Sequence, residues 1–301
     1  MPIVIPKDIP AYSKLLTENI FVMNDERAFT QDIRPLEIAI LNLMPTKVET
    51  ETQFMRLLSN SPLQINITLI NTKSYKSKNT SAEYLDKFYK NFDEIKDKHF
   101  DGMIITGAPV ETMEFEDVKY WNELKTIFDF ADKNVTSTIY ICWGAQAALY
   151  YHYGVKKYGL PEKLFGVFKH KKNNCVYEPL FKGFDDTFYM PHSRHTTVNI
   201  EDVKKVEDLI VLSETPETGL SIAKSKDNKK IFLTGHMEYD RNTLKTEYER
   251  DLNKNLPIKA PINYFTDETN TEVDVKWTSC GNLFYTNWLN YYVYQVTPFK
   301  F

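Results

Sequence analysis

Apolar residues in this chain fall into short runs separated by longer stretches with helical spacing. The runs Glu37–Leu43, Ile65–Asn71, Gly102–Thr106 and Ser137–Ile141 are rich in β-branched and other apolar side chains, as buried strands are. Between and after them, the spacing predicts helices over about Glu49–Leu58, Ala82–Lys90 and Asp117–Lys133, the last amphipathic. A small-residue run, Gly144-Ala-Gln-Ala-Ala148, opens another helix directly after the fourth strand. Further short strands are expected near Leu164–Phe168, Leu209–Leu212, Ser221–Lys224 and Ile231–Thr234, and two closing helices over roughly Arg241–Asn255 and Asn282–Val296. Such alternation predicts an α/β fold, a mainly parallel sheet with helices on both faces, whose ligands gather at the carboxyl ends of the strands. No internal repeat or low-complexity linker divides the chain. Residues 1–301 therefore read as one domain, with 1–33, weak in periodicity, as an N-terminal extension packed on it.

Composition narrows the class. Of 301 residues, 42% are hydrophobic and 26% charged, ordinary values for a globular protein with ample core. A net charge of −4 gives no reason to expect nucleic acid or an anionic membrane as partner. No apolar stretch approaches a transmembrane span, and the N-terminus lacks a signal-peptide pattern. Cys142, Cys175 and Cys280 are too unevenly spaced for a disulfide framework or a zinc ribbon, and no metal is expected. A cytoplasmic setting is the natural expectation.

Cys142 carries the chemistry. It sits where the run Ser137–Ile141 meets the helix beginning at Trp143, so free backbone N–H groups and the positive end of a helix dipole favour its thiolate. The same N–H groups, Trp143 foremost, can stabilise an oxyanion formed when that sulfur attacks a carbonyl. A lone cysteine at a strand end is more often a small buried hydrophobe. What changes the reading is a second strand-to-loop junction, Gly235-His-Met-Glu-Tyr239, directly after Ile231–Thr234. His236 suits a general base, and Glu238, two residues along an extended segment, lies on the same side and can fix its tautomer. Each could be structural alone; together they suggest a Cys-His-Glu triad.

The segments Leu41-Asn-Leu-Met-Pro-Thr-Lys47, Thr106-Gly-Ala-Pro-Val-Glu111, Tyr140-Ile-Cys-Trp-Gly-Ala-Gln146, Met190-Pro-His-Ser-Arg194 and Gly235-His-Met-Glu-Tyr239 occur in this order. On them the chain resembles the MetA family of homoserine O-acyltransferases, over essentially its whole length. The family's fold is similar to that of class I glutamine amidotransferases, within the flavodoxin-like group. The resemblance implies transfer of an acyl group from acyl-coenzyme A to the hydroxyl of L-homoserine, an early step of methionine biosynthesis. It gives Cys142, His236 and Glu238 catalytic roles through an acyl-Cys142 intermediate, places Lys47 against the site as oxyanion support, and makes Arg250, Lys163 and Ser193 substrate-binding. It also suggests a homodimer, and no cofactor beyond acetyl-coenzyme A as co-substrate. Members use acetyl- or succinyl-coenzyme A, and the resemblance places Glu111 beside the acyl pocket. A glutamate there would fill space and repel a distal carboxylate, so an acetyltransferase is expected, with succinyl transfer as the alternative. His195 stands where the family pattern has tyrosine.

Four other readings compete. A glutamine amidotransferase or a cysteine peptidase of similar fold would use the same triad, and Gly144 two residues after Cys142 leaves the elbow ambiguous. Lys47, Arg250 and Ser193 would then have no purpose. A metal hydrolase built on His192 and His195, taken as loop residues, lacks a third ligand. A non-catalytic binding module would leave the triad to chance. The aromatic stretch Phe284–Tyr294 reads as core or subunit interface, and Cys175 and Cys280 as structural.

Overall fold

A computed structural model describes residues 3–18, 20, 22–24, 34–74, 79–173 and 177–297. Its strands are β1 (Ile3–Val4), β2 (Val22–Met23), β3 (Leu36–Leu41), β4 (Ile65–Ile70), β5 (Tyr89–Lys90), β6 (Phe100–Ile105), β7 (Val135–Ile141), β8 (Lys157–Lys171), β9 (Thr187–Val198), β10 (Leu209–Thr215), β11 (Gly219–Ser225) and β12 (Lys230–Leu233). The helices used below are α1 (Pro10–Thr17), α2 (Lys47–Ser59), α3 (Ala82–Phe88), α4 (Trp121–Asn134), α5 (Trp143–Tyr153), α6 (Ile200–Lys204), α7 (Thr243–Asn253) and α8 (Thr278–Asn287). A π-helical turn, Trp288–Tyr294, continues α8.

The main sheet runs in the order β10-β11-β12-β7-β6-β3-β4-β1-β2, with β5 also pairing with β4. Pairs from β12 through β2 are parallel, whereas β10–β11 and β11–β12 are antiparallel. The expected mainly parallel sheet is present, with an antiparallel edge. Its strands alternate between two cores. Ile38, Ile40, Ile104, Ile139, Ile141, Ile231 and Leu233 meet Phe54 and Leu58 of α2 and Phe284, Trp288 and Leu289 at the C-terminal end. Ala39, Leu41, Met103, Ile105, Tyr140 and Phe232 face Leu124, Ile127 and Phe128 of α4 and the small residues of α5. This is why the strands read as continuous apolar runs: both faces are covered. Fully burying each large apolar side chain contributes roughly 1.5–3 kcal/mol.

Three features depart from the expectations. The N-terminal segment supplies two short strands to the sheet edge and buries Ile3, Ile5 and Leu15 in the first core. Residues 25–33, the end of the expected extension, lie outside the described residues. Second, only Leu164–Phe168 was expected of a long antiparallel hairpin, β8–β9, which forms a separate two-stranded sheet. Third, that hairpin puts His192 and His195 on a strand rather than a loop. Positions three apart on a strand face opposite ways. His192 is buried against His170 and His195 is exposed, so they cannot grip one ion. Cys280 is buried and its thiol donates to the carbonyls of Tyr189 and Trp277, burial pushing it up to about 11, as suits a structural residue. Cys175 lies outside the described residues. None of the described helices is long and apolar enough to cross a membrane.

Candidate active site

Two neighbouring parallel strands assemble the centre. Ile141 of β7 is in register with Leu233 of β12, and the Cys142 amide donates to the Leu233 carbonyl at 2.7 Å. Cys142 thus lies one residue beyond the end of β7, and His236 three beyond the end of β12. Cys142 takes φ 50° and ψ −115°, a left-handed conformation rare for a side chain with a Cβ. A strained strand-to-helix elbow of this kind is suited to projecting a nucleophile from the top of a sheet. Cys142 also caps α5, whose first amides have no intrahelical acceptors.

The elbow needs room. A Cβ on Gly144 would stand 2.7 Å from the Thr106 carbonyl oxygen, so only glycine lets α5 start this close to the end of β6. From the other side a Cβ on Gly107 would lie 3.8 Å from the Cys142 sulfur. Gly107 was quoted in the motifs without a role, and it keeps that approach to the thiol open.

His236 Nδ1 and Glu238 Oε1 are 2.6 Å apart, both buried, and the imidazole stacks on Tyr239 at 4.1 Å between centroids. Burial alone would lower the pKa of His236. The Glu238 carboxylate and the Cys142 sulfur more than offset it, holding the imidazole well above its ordinary 6.5. The backbone is pinned too, since the His236 amide donates to Pro191 O of β9 at 2.8 Å. A Cβ on Gly235 would sit 2.8 Å from that same oxygen.

Beyond the triad, Tyr239 donates to Glu247 at 2.9 Å, and Ser193 donates to the other oxygen of Glu247 at 2.5 Å. Lys163 stands 3.6 Å from Glu247 and 3.2 Å from Asp251, over the ring of Phe165. Arg250, half exposed, grips Asp251 through Nε at 2.8 Å. The predicted Ser193, Lys163 and Arg250 therefore do gather, from β9, β8 and α7, around two carboxylates that sequence reasoning missed. The available signal was helical spacing, because Glu247 precedes Arg250 by three positions and Asp251 by four. Glu49, in the first turn of α2, is exposed at its surface, yet partial desolvation with Asp240 and Glu247 nearby raises its pKa.

Lys47 lies at the start of α2, beyond β3. It is buried, donates to Asn42 O at 2.5 Å and stands over the Tyr89 ring, and burial lowers its pKa to about 8. Its charge faces Glu51, which accepts from the Tyr84 and Tyr89 hydroxyls. A cleft of about 730 Å³, lined by Lys14, Lys47, Arg56, Tyr84 and Asp240, meets a smaller cavity of about 150 Å³, lined by Asn42, Pro109, Val110 and Tyr120, at Pro45 and Lys47.

Glu111 follows β6, and its Oε2 accepts from the His195 amide at 2.8 Å, with Thr196 Oγ1 at 3.5 Å. It is therefore a bonded residue rather than part of a free acidic run. Next to it is a residue known from the sequence only as the end of a motif. Arg194 is fully buried, donating to Thr196 O at 2.7 Å and to Thr218 O at 2.5 Å. Burial lowers its pKa, opposed by the Cys142 sulfur and the Glu111 carboxylate.

Known proteins agree with this architecture. Solved glutamine amidotransferases from Thermotoga maritima and Methylobacillus flagellatus superpose with TM-scores of 0.53 each, covering 85% and 86% of this chain and 98% and 95% of theirs, at 13% identity, and so show the shared fold. A homoserine O-acetyltransferase of Acetivibrio thermocellus is 58% identical across 99% of this chain and 98% of its own. One of Clostridium acetobutylicum is 58% identical over the full length of both. The family model described as homoserine O-succinyltransferase matches residues 2–299, and the chain belongs to that family of acyltransferases.

Proposed function

We propose that this protein transfers the acetyl group of acetyl-coenzyme A to the hydroxyl of L-homoserine, giving O-acetyl-L-homoserine for methionine biosynthesis. The observation that carries this is the strained Cys142 facing a His236–Glu238 pair, in a chain 58% identical over its full length to a homoserine O-acetyltransferase.

In the first half-reaction the Cys142 thiolate attacks the thioester carbonyl. Charge on the carbonyl oxygen is met by the Trp143 amide at the start of α5, with the Lys47 ammonium as a further source of positive field. The C–S bond to coenzyme A breaks, and the departing thiolate takes its proton from His236. In the second, His236 Nε2 removes the homoserine hydroxyl proton, the oxygen attacks the acetyl-Cys142 carbonyl, and the thiolate is released. Glu238 keeps the imidazole in one tautomer throughout. Ping-pong kinetics follow.

For homoserine, Arg250 offers a planar fork to the carboxylate, with Lys163 and Ser193 beside it. Glu247, joined to Ser193, Lys163 and Tyr239, and the nearby Glu49 suit the substrate's ammonium group. The cleft at Lys47 offers a route for the extended arm of coenzyme A. Glu111 favours acetyl over larger, anionic acyl groups.

The test is steady-state release of coenzyme A with homoserine present, from acetyl- against succinyl-coenzyme A. Strong preference for acetyl is expected. Preference for succinyl would discard the account of Glu111, and no homoserine-dependent release from either would return the glutamine amidotransferase reading, with glutamine hydrolysis as its assay.

A further inference from the structure

We infer that Tyr239 is a positioning residue that joins the acceptor subsite to the general base: its ring fixes the plane of the His236 imidazole, and its hydroxyl ties that ring to Glu247. The inference rests on the acyltransferase reading and adds how homoserine and base are aligned at that same site.

A hydrogen bond fixes a direction but not a plane. Glu238 holds one edge of the imidazole through Nδ1 at 2.6 Å, and that contact alone leaves the ring free to rock about the line of the bond. The Tyr239 ring removes this freedom, its centroid 4.1 Å from that of the imidazole and its plane 14° from parallel. With both contacts in place Nε2, the nitrogen that moves protons, has one direction to point. A positively charged imidazole gains further from the arrangement, because the face of a neutral phenol ring is its negative side.

Tyr239 is itself held at both ends. Its carbonyl accepts from Trp277 Nε1 at 2.7 Å, which fastens the backbone to the residue preceding α8. Its hydroxyl donates to Glu247 Oε1 of α7 at 2.9 Å. Burial and the Glu247 charge hold the phenol pKa well above its usual 10, so the proton stays on the oxygen and the bond keeps its direction.

Glu247 is the shared member. Its other oxygen accepts from Ser193 at 2.5 Å, and Lys163 stands 3.6 Å away. The carboxylate suited to the homoserine ammonium is thus the one that holds the Tyr239 hydroxyl. One sequence of contacts, from ammonium to Glu247 to Tyr239 to His236, sets acceptor and base together. The donor half-reaction needs the ring but places no group on Glu247, so the acceptor half-reaction depends more on the Tyr239–Glu247 bond. A misplacement of about 1 Å at such a point costs on the order of 10²-fold in rate.

The experiment follows the two half-reactions separately in the full chain: acetylation of Cys142 by acetyl-coenzyme A alone, and transfer of that acetyl group to saturating homoserine. Tyr239→Phe keeps the ring and removes the hydroxyl. Its transfer rate should fall at least about tenfold more than its acetylation rate, the size of a lost hydrogen bond to a charged group. Equal slowing of both half-reactions, as a merely structural residue would give, or no slowing of either, would overturn the inference. Tyr239→Leu removes the ring as well and should slow acetylation too; an acetylation rate equal to that of the wild type would overturn the part given to the ring. Glu247→Asp keeps the charge and shortens its reach, and so tests the same bond should a Tyr239 variant not fold. Its transfer rate at saturating homoserine should fall, whereas a raised KM with an unchanged saturated rate would overturn the link between acceptor and base. Wild-type protein that takes no acetyl group at Cys142 would overturn the acyltransferase reading itself, and the inference with it.

Discussion

The Cys142 amide donates to the Leu233 carbonyl, so the register of β7 against β12 holds Cys142 beside the strand end from which the loop to His236 departs. Cys142→Ala leaves this backbone bond intact. It should remove all acyl transfer while unfolding at nearly the wild-type temperature. Mass spectrometry checks the chemistry directly: acetyl-coenzyme A without homoserine should add one acetyl group to the wild type at Cys142 and none to the variant. An acetyl group retained in Cys142→Ala would end the covalent mechanism.

Glu238→Gln keeps a side chain of the same shape beside His236 but removes its charge. Loss of the equivalent carboxylate in triads costs about 10⁴-fold in kcat, and a fall of about 10²-fold or more is expected here. The sign of its pH dependence is also set. The raised pKa of His236 means that Glu238 contributes stability fully below the ordinary imidazole value of 6.5, and that this contribution fades as pH rises through the higher folded value. Denaturant midpoints of wild type and variant should therefore differ more at pH 6 than at pH 9; a gap that widens with pH would contradict it.

Lys47 loses its proton near pH 8. Its depressed pKa costs stability below that pH, and the cost is relieved between about 8 and the unperturbed 10.5. If its charge assists the oxyanion, coenzyme A release should show an alkaline limb near pH 8 that moves upward in Lys47→Arg. A limb at the same pH in that variant would belong to another group.

Arg250→Lys replaces a planar fork by a point charge and should raise the homoserine KM with a smaller effect on kcat. Glu247→Gln should do the same by weakening the hold on the ammonium group. If both variants keep the wild-type KM, the cluster around Glu247 is not where homoserine sits.

Gly144→Ala would press a methyl group to within 2.7 Å of the Thr106 carbonyl oxygen, a backbone atom with little freedom to yield. A destabilisation of about 1–3 kcal/mol is expected, read as a lower melting temperature, together with a loss of activity as the elbow shifts.

Much of this was legible because buried parallel strands leave uninterrupted apolar runs and their ends mark where a site forms. Ser137–Ile141 and Ile231–Thr234 located Cys142 and His236 in that way. The β8–β9 hairpin was not legible, since its N-terminal half carries exposed Tyr158, Gly159, Pro161 and Glu162, which read as loop. Arg194 was hidden for a related reason: a charged residue on a segment taken for a loop gives no sign that it will be buried. Glu247 was overlooked because one acid on a helix rich in charges is normally solvated. Only its partners Ser193 and Lys163, distant in sequence, distinguish it.

The two-residue strand β1 comes before β3 and β4 in the chain, yet it pairs with β4 through Ile3 opposite Ile65 and with β2 through Ile3 opposite Val22. On a growing polypeptide this strand has no seat until β4 has emerged and joined β3. The sheet is thus completed on that side by residues that precede the strand they pair with, and until then Ile3, Ile5 and Leu15 lack the core that buries them. Such late, long-range closure slows folding and lengthens the time over which an unfinished chain can stick to its neighbours.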